Sequence, residues 1–337
     1  MGAHFMERSG MIYLETGSLD PCFNLAFEEY VLTRRRDGDY LILWQNQNTV
    51  VVGNNQITEA EINRPWIEAH GVKVVRRVTG GGAVYHDLGN LNYSFLTDYR
   101  PEDQLSMERF TRPVVRALRA LGADAEATGR NDILVAGKKV SGTAQKIAGG
   151  RILHHGTLLF DSDPEAIASA LRADPQKFQS KVGKSVRSRV GNIRDALPED
   201  MTLRRFWDYL KAALSAGGCV SGALTEAEKR EVDRLRREKY ETWAWTYGRS
   251  PAAEVHASRR YAGGTLEFYA SLSGDVIRSI GFYGDFLSKR SLDPLCRALE
   301  GVPFTPEAVG AVLARFAVPD YFGSITAEEV LALLFAP

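Results

Sequence analysis

The stretch Arg76-Arg77-Val78-Thr79-Gly80-Gly81-Gly82-Ala83-Val84-Tyr85-His86-Asp87 holds the densest chemistry in the chain. Three consecutive glycines have no Cβ atoms, so the backbone can turn its N–H groups towards an anion. Two arginines add fixed positive charge and forked donors, which suit a phosphate or a carboxylate. The stretch is not a P-loop, because no Gly-Lys-Ser/Thr follows, and it is not Gly-x-Gly-x-x-Gly opening a helix. Read in isolation it is better explained as a hairpin turn with a strand resuming at Ala83. Two more polar clusters, Asn131/Asp132 and Lys139, sit on other predicted strands and could converge with it. Each has a plain reading of its own: Lys139 as a solvated strand lysine, and Asp132 after Asn131 as a turn-former. His154 and His155 are a poor metal pair, since adjacent strand residues face opposite ways.

The elements that must position these groups follow from periodicity. Met11 to Glu15 reads as a strand, and Ser18-Leu19-Asp20-Pro21 caps a helix through Phe23, Ala26, Phe27, Tyr30 and Val31. Tyr40 to Trp44 and Thr49 to Val52 read as a hairpin across Gln45 to Asn48. Glu59 to His70 reads as one helix ended by Gly71. Val72 to Val78 and Leu91 to Leu96 are then strands, which places the glycine turn between two sheet neighbours. Ser106 to Leu121 is helical by its apolar spacing, with Pro113 near its first turn or at a kink. From Gly129 the chain reads as strand, tight turn at Ala136-Gly137 and a second strand carrying Lys138 and Lys139, which face opposite sides. Ile152 to Phe160 is another strand, and Lys177 to Arg189 is a basic loop. Leu203 to Leu214 and Thr225 to Tyr240 are amphipathic helices. After a boundary at Trp243 to Pro251, three strands between Ala253 and Phe282 precede helices at Ser291 to Leu299, Pro306 to Phe316 and Ala327 to Leu334.

Lys plus Arg and Asp plus Glu are equal at 42 each among 337 residues. A balanced charge disfavours a duplex nucleic-acid binder and a protein drawn to anionic membrane. Cys22, Cys219 and Cys296 are an odd number at wide spacing, which suggests neither a disulfide framework nor a zinc knuckle and fits a reducing cytoplasm. No run of eighteen apolar residues occurs and the first ten residues lack an apolar core, so neither a span nor a signal peptide is expected.

The combination is more specific than its parts. The pattern from Arg76 to Asn90, Gly-Arg-Asn-Asp at Gly129 to Asp132, Lys-Val-Ser-Gly at Lys139 to Gly142, and His-His-Gly-Thr-Leu-Leu at His154 to Leu159 resemble the lipoate-protein ligases. So do Ser-Val-Arg-Ser-Arg-Val at Ser185 to Val190 and Trp-x-Trp-x-Tyr-Gly-x-Ser-Pro at Trp243 to Pro251. The likeness runs in order over nearly the whole chain. It implies a two-step reaction: lipoate and ATP give lipoyl-adenylate, and a lysine of an acceptor protein then takes the acyl group. It places ATP and the adenylate on Arg77, Gly82, Ala83, Val84, Tyr85, Asn131 and Lys139, with Lys139 as the catalytic lysine. It places lipoate on Lys139, Arg77, Gly81 and His86; Asp132, with Asn131 supporting, is the candidate for holding Mg²⁺ with the ATP phosphates, since hard cations prefer oxygen and need only one or two carboxylates. Trp44, Val51 and Tyr85 are candidate linings for the acyl tail, and Lys177 to Arg189 resembles an adenylate-covering loop.

The resemblance implies an α+β (mixed α/β) fold: a biotin/lipoate ligase-like catalytic domain, its mixed sheet flanked by helices, over residues 1–250. A small C-terminal α+β domain follows over 251–337. The expected acceptors are apo lipoyl domains of 2-oxoacid dehydrogenase complexes or the glycine-cleavage H protein, with a monomeric enzyme and no nucleic-acid or membrane partner. Two other readings stay open. One is an octanoyl or lipoyl transferase of the same fold, which needs an activated thiol, although no cysteine lies in these motifs. The other is a non-catalytic lipoyl-domain binding protein. A hinge near Gly248 to Pro251 is expected between the domains.

Overall fold

Alternating and continuous apolar runs build two sheets in the first part of the chain and one in the last. The computed structural model describes residues 11–100, 107–128, 131–172, 189–215, 218–248 and 255–335. The chain divides into two compact units. The first comprises residues 1–51, 62–75 and 84–242, and the second 52–61, 76–83 and 243–337.

The first unit is organised by a mixed eight-stranded sheet. Its strands are β1 (Met11–Glu15), β2 (Tyr40–Trp44), β6 (Asn90–Asp98), β7 (Ala125–Ala127), β8 (Asp132–Val135), β9 (Lys138–Ala148), β10 (Arg151–Leu159) and β11 (Cys219–Ser221). Their order is β11-β1-β2-β6-β10-β9-β8-β7. Only β11-β1 and β1-β2 run parallel, and the helix Pro21–Arg34 makes the crossover that a parallel pair requires. One face of the sheet is covered by the helices Glu108–Ala120 and Leu203–Leu214, which bury Phe110, Val114, Leu118, Phe206 and Leu210 against Leu41, Leu43, Tyr93 and Phe95. The helix Pro21–Arg34 packs against β6 and β10. The tight turn between β8 and β9 has positive φ at both Ala136 and Gly137, as a two-residue hairpin needs.

Several expectations about the segments around the glycines need correction. Tyr40–Trp44 and Thr49–Val52 do not form a hairpin: β3 (Thr49–Val52) lies in a separate sheet of order β4-β3-β5, with β4 (Lys73–Arg76) and β5 (Val84–His86). The glycine turn therefore joins β4 to β5 from opposite edges of β3. It is neither a hairpin turn nor a link to Leu91–Leu96, which belongs to β6. The segment Glu59 to His70 is two short helices, Thr58–Glu61 and Arg64–Ala69, because Pro65 starts a new helix and cannot continue the old one. Gly71, at φ 60, ends the second as expected. The strand expected over Val72 to Val78 is confined to Lys73–Arg76.

In the second unit β12 (Val255–Tyr261), β13 (Gly264–Ser273) and β14 (Val276–Gly284) form an antiparallel meander. Alternate residues Leu266, Phe268, Ala270, Ile280 and Phe282 face four helices: Asp293–Leu299, Pro306–Leu313, Val318–Phe322 and Ala327–Phe335. Three of these follow the apolar spacing, while Val318–Phe322 is too short to show a period. Among the described residues no helix is long and apolar enough to cross a membrane. The expected loop Lys177 to Arg189 lies outside the described residues except for Arg189, as does the expected hinge except for Gly248.

Candidate active site

The candidate residues fall into two groups, one in each unit. In the first unit the register of β8 and β9 sets Asp132 opposite Gly142, and a bulge between Ile133 and Leu134 brings Lys139 alongside. Lys139 Nζ lies 2.8 Å from Asp132 Oδ1, with about 42% of the lysine side chain exposed. Gly142 lies beside this pair: a Cβ there would be in ordinary contact with Lys139 Nζ at 3.4 Å. Gly142 N–H donates to Thr157 Oγ1 at 3.1 Å, so β10 fixes the backbone beneath the lysine. Asn131 donates its side-chain amide to Thr143 O at 3.1 Å and accepts from Thr143 N–H through its backbone carbonyl. It therefore braces the strand pair that carries Lys139 and Asp132. Among the described residues no group of three His, Cys, Asp or Glu side chains is placed to hold a metal ion.

The same sheet carries a buried polar chain that the periodicity did not reveal. Trp44 Nε1 donates to Ser94 Oγ at 2.9 Å, and Ser94 Oγ donates to Glu28 Oε1 at 2.6 Å. His155 Nδ1 donates to the Glu28 carboxylate at 2.9 and 3.0 Å. Glu28 is 1% exposed. A signal was present in the sequence: Glu28 shares the stripe of Leu25 and Leu32 at helical spacing, and both are fully buried. His154 faces the other side of the sheet, stacked on Phe110 with ring centroids 4.8 Å apart. Burial there, with the neighbouring His155 adding to it, pushes its pKa down to about 3.

His86 is buried, and its Nδ1 accepts from Asn46 Nδ2 at 3.1 Å; Asn24 in turn donates to Asn46 Oδ1 at 2.9 Å. Tyr85 donates its hydroxyl to Asn48 Oδ1 at 2.9 Å and stands edge-on to Trp66. Trp44, Val51 and Tyr85 are all buried, and Val84 pairs with Val51 on β3. The free thiol of Cys22 points to Tyr240 O at 3.4 Å, and burial pushes its pKa up to about 12, far from a thiolate nucleophile.

In the second unit the two arginines separate. Arg76 is fully buried and aims away from any turn ligand, in a cage of acceptors. Its guanidinium donates to the carbonyls of Gly53, Asn54, Gln56, Trp245 and Thr246 and to Thr58 Oγ1, all within 3.1 Å. The expectation that Arg76 adds charge at the anion site is thus replaced by a structural role. Arg77 curls around the glycines, donating to Thr79 Oγ1 at 2.9 Å, Gly80 O at 2.7 Å and Gly82 O at 2.8 Å. The turn is further fixed by the Gly53–Gln56 corner: Gly53 N–H donates to Gln56 Oε1 at 2.8 Å, and Asn54 N–H donates to Thr79 O at 2.8 Å.

Comparison with known proteins identifies the family. Residues 20–215 match the family model of the lipoyl protein ligase A/B catalytic domain, and residues 250–334 match that of the bacterial lipoate protein ligase C-terminus. A lipoate-protein ligase of Bacillus subtilis is 38% identical over 331 residues, covering 96% of this chain and all of the relative. The structure of an archaeal bi-partite lipoate protein ligase studied with its E2 lipoyl domain, from Thermoplasma acidophilum, aligns with a TM-score of 0.64 at 30% identity, covering 73% of this chain and 99% of that one. A lipoate-protein ligase A bound with ATP aligns with a TM-score of 0.60 at 27% identity, covering 71% of this chain and 98% of that one. The mixed α/β catalytic fold with a small C-terminal sheet domain is that of these enzymes, and the chain belongs to the lipoate-protein ligase family.

Proposed function

We propose that this ligase works through lipoyl-adenylate. In the first step a lipoate carboxylate oxygen attacks the α-phosphorus of ATP, the bond to the β-phosphate oxygen breaks, and pyrophosphate leaves. In the second step the ε-amine of an acceptor lysine attacks the acyl carbonyl, AMP departs with the bonding pair, and the amine loses a proton. Lys139 is read as the catalytic lysine, its ammonium set against the lipoyl carboxylate and the phosphate oxygens where charge builds. Arg77 and Gly82 to Tyr85 are read as the nucleotide cradle and His86 as a contact to lipoate, while Gly81, whose N–H is spent on Phe286 O, is read as shaping the turn. Asn131 is read as holding the strand that presents Lys139.

The observation that carries this reading is the Lys139–Asp132 pair at 2.8 Å, with the lysine head partly exposed. A cation and a carboxylate side by side suit a substrate that brings phosphate oxygens with a divalent cation. The donor set fits Mg²⁺, because a hydrated hard cation carried on nucleotide phosphates needs only one or two protein carboxylates, and Asp132 supplies one. When bound, the ion would neutralise charge on the departing pyrophosphate.

The division 1–250 and 251–337 is retained as the functional one. The acceptors proposed are apo lipoyl domains of 2-oxoacid dehydrogenases or the glycine-cleavage H protein, served by a monomeric enzyme in the cytoplasm. The test is the intact mass of an apo lipoyl domain after incubation with the enzyme, Mg²⁺, ATP and lipoate. An ATP-dependent lipoyl addition, lost in Lys139→Ala, is expected. Acyl transfer independent of ATP would sink the adenylate reading in favour of a transferase.

A further inference from the structure

Two of the three glycines are crowded by the protein itself. A Cβ on Gly80 would lie 2.6 Å from Ser288 N and 2.9 Å from both Phe286 O and Ser288 Oγ, and one on Gly81 would lie 3.3 Å from Leu287 Cδ2. Gly81, at φ 90, donates its N–H to Phe286 O at 3.0 Å. Gly82 differs, its nearest neighbour in space being Asp285 Cβ at 3.9 Å. The absence of side chains at Gly80 and Gly81 thus admits a chain segment, and only the third glycine faces open space.

That segment, Asp285–Ser288, is held rigidly at both ends. Asp285 accepts from Thr265 N–H at 2.6 Å and from Arg260 Nη1 at 2.8 and 2.9 Å. Lys289 N–H and Arg290 N–H both donate to Asp320 O, and Arg290 Nε donates to Asp320 Oδ2 at 2.8 Å. Gly323 lets the segment pass, since a Cβ there would lie 2.6 Å from Leu287 O. Two further bonds join the segment to the corner beneath the turn: Gly284 N–H to Asn55 O at 2.8 Å, and Asn55 Nδ2 to Ser288 Oγ at 2.7 Å. Asn55 is fully buried and Ser288 is 3% exposed, so neither bond competes with water.

We infer that Asp285–Ser288 is a positioning segment for the nucleotide end of the reaction, with Ser288 and Asn55 as its positioning residues. It consumes the Gly81 N–H, fixes the path of Gly80 and Gly81, and thereby aims the amides that follow from Gly82 onward. This rests on the nucleotide reading of the glycine turn given above. A side chain that only supported the fold would weaken every substrate alike, whereas one that aims the turn acts on ATP.

The experiment measures KM for ATP, KM for lipoate and kcat in wild type, Ser288→Ala, Ser288→Thr, Gly80→Ala and the Ser288→Ala/Gly80→Ala pair, with a thermal melt of each. Ser288→Ala is expected to raise KM for ATP about tenfold, the scale of one buried hydrogen bond, with KM for lipoate within about twofold. Ser288→Thr keeps the hydroxyl and should restore most of the ATP affinity. Gly80→Ala should act in the same direction, and the double variant should be no worse than the poorer single one, because both disturb one contact. Asn55→Ala reads the same bond from its other end should Ser288→Ala not fold. Equal losses for ATP and lipoate, multiplying effects in the double variant, or no change in KM for ATP would each overturn the inference. A wild type that modifies the acceptor without ATP would overturn the nucleotide reading and the inference with it, so the two failures are distinguishable.

Discussion

Lys139, on the sheet, and Glu28, on the helix Pro21–Arg34 packed against it, show how differently two charged residues are used. Lys139 keeps its head partly in solvent beside Asp132, ready to change partners when an anion arrives, and surface screening makes that pair worth little to stability. Lys139→Ala should therefore leave the melting temperature within a degree or two while lowering the ligation rate about 10²- to 10³-fold, the usual effect of losing one transition-state donor. A variant that melts normally and ligates normally would remove Lys139 from the chemistry. Glu28 is the opposite case, an acceptor with its oxygens filled by Ser94 and His155 inside the sheet. In Glu28→Gln the amide N–H meets either the Ser94 hydroxyl or His155 Nδ1, so a buried donor is left unmatched or His155 must move its proton to Nε2, a change on the scale of about 1–3 kcal/mol. Thermal unfolding should drop by several degrees, and an unchanged melt would show that the chain of bonds from Trp44 to His155 is not worth its burial.

At the scale of elements, the arm around the glycines was the least legible part of the sequence, and Arg76 shows why. Strand and helix periods gave β1, β2, β6, β9, β10 and the long helices, because each buries a regular face. The Lys139 hairpin was equally legible, since Ala136-Gly137 between two alternating runs is a strong turn signal. No period reports that β3 leaves one sheet for another, or that Arg76 and Arg77, adjacent in a motif, turn to different tasks. The order β4-β3-β5 depends on long-range pairing, and the role of Arg76 depends on carbonyls at residues 53 to 56 and 245 to 246. Glycines likewise announce a close approach without saying what approaches, here residues 286 to 288. Arg76 offers a sharp check on this account. Arg76→Lys keeps the charge but offers three N–H donors in place of five and loses the planar fork that reaches all six acceptors, of which only Gly53 O and Thr246 O keep a second donor, in Gln56 N–H and Thr58 Oγ1. The expected loss is about 3 kcal/mol or more, read as a lower urea midpoint at an unchanged slope. A variant within 1 kcal/mol of wild type would mean the cage is hydrated and the arm is held by something else.

At the scale of the whole molecule, two separate apolar cores make stability a property of each unit, and His154 ties one of them to pH. The first core includes Phe95, Phe110 and Ile152, with His154 stacked on Phe110; the second is built from Phe268, Phe282, Phe286 and Phe322. His154 is fully buried and its folded pKa is held down to about 3, chiefly by burial, against an unfolded value near 6.5. Below that unfolded value the unfolded chain binds a proton that the folded chain refuses. The stabilisation is thus complete above about pH 6.5 and is lost as pH falls from there towards 3, at up to about 1.4 kcal/mol per unit. Between pH 7 and pH 5 the first unit should lose about 1–2 kcal/mol from this residue alone, while the second unit, which lacks it, should not share that loss. Hydrogen exchange followed by mass spectrometry separates the two, because peptides from each core report their own opening free energy. In His154→Phe, which keeps the ring on Phe110, the acid sensitivity of peptides from β6, β9 and β10 should shrink by that amount while peptides from β13 and β14 keep their wild-type pH dependence. If the variant and wild type show parallel pH curves in the first unit, His154 is not the residue through which acid reaches the catalytic sheet, and the loss must be sought among its paired carboxylates.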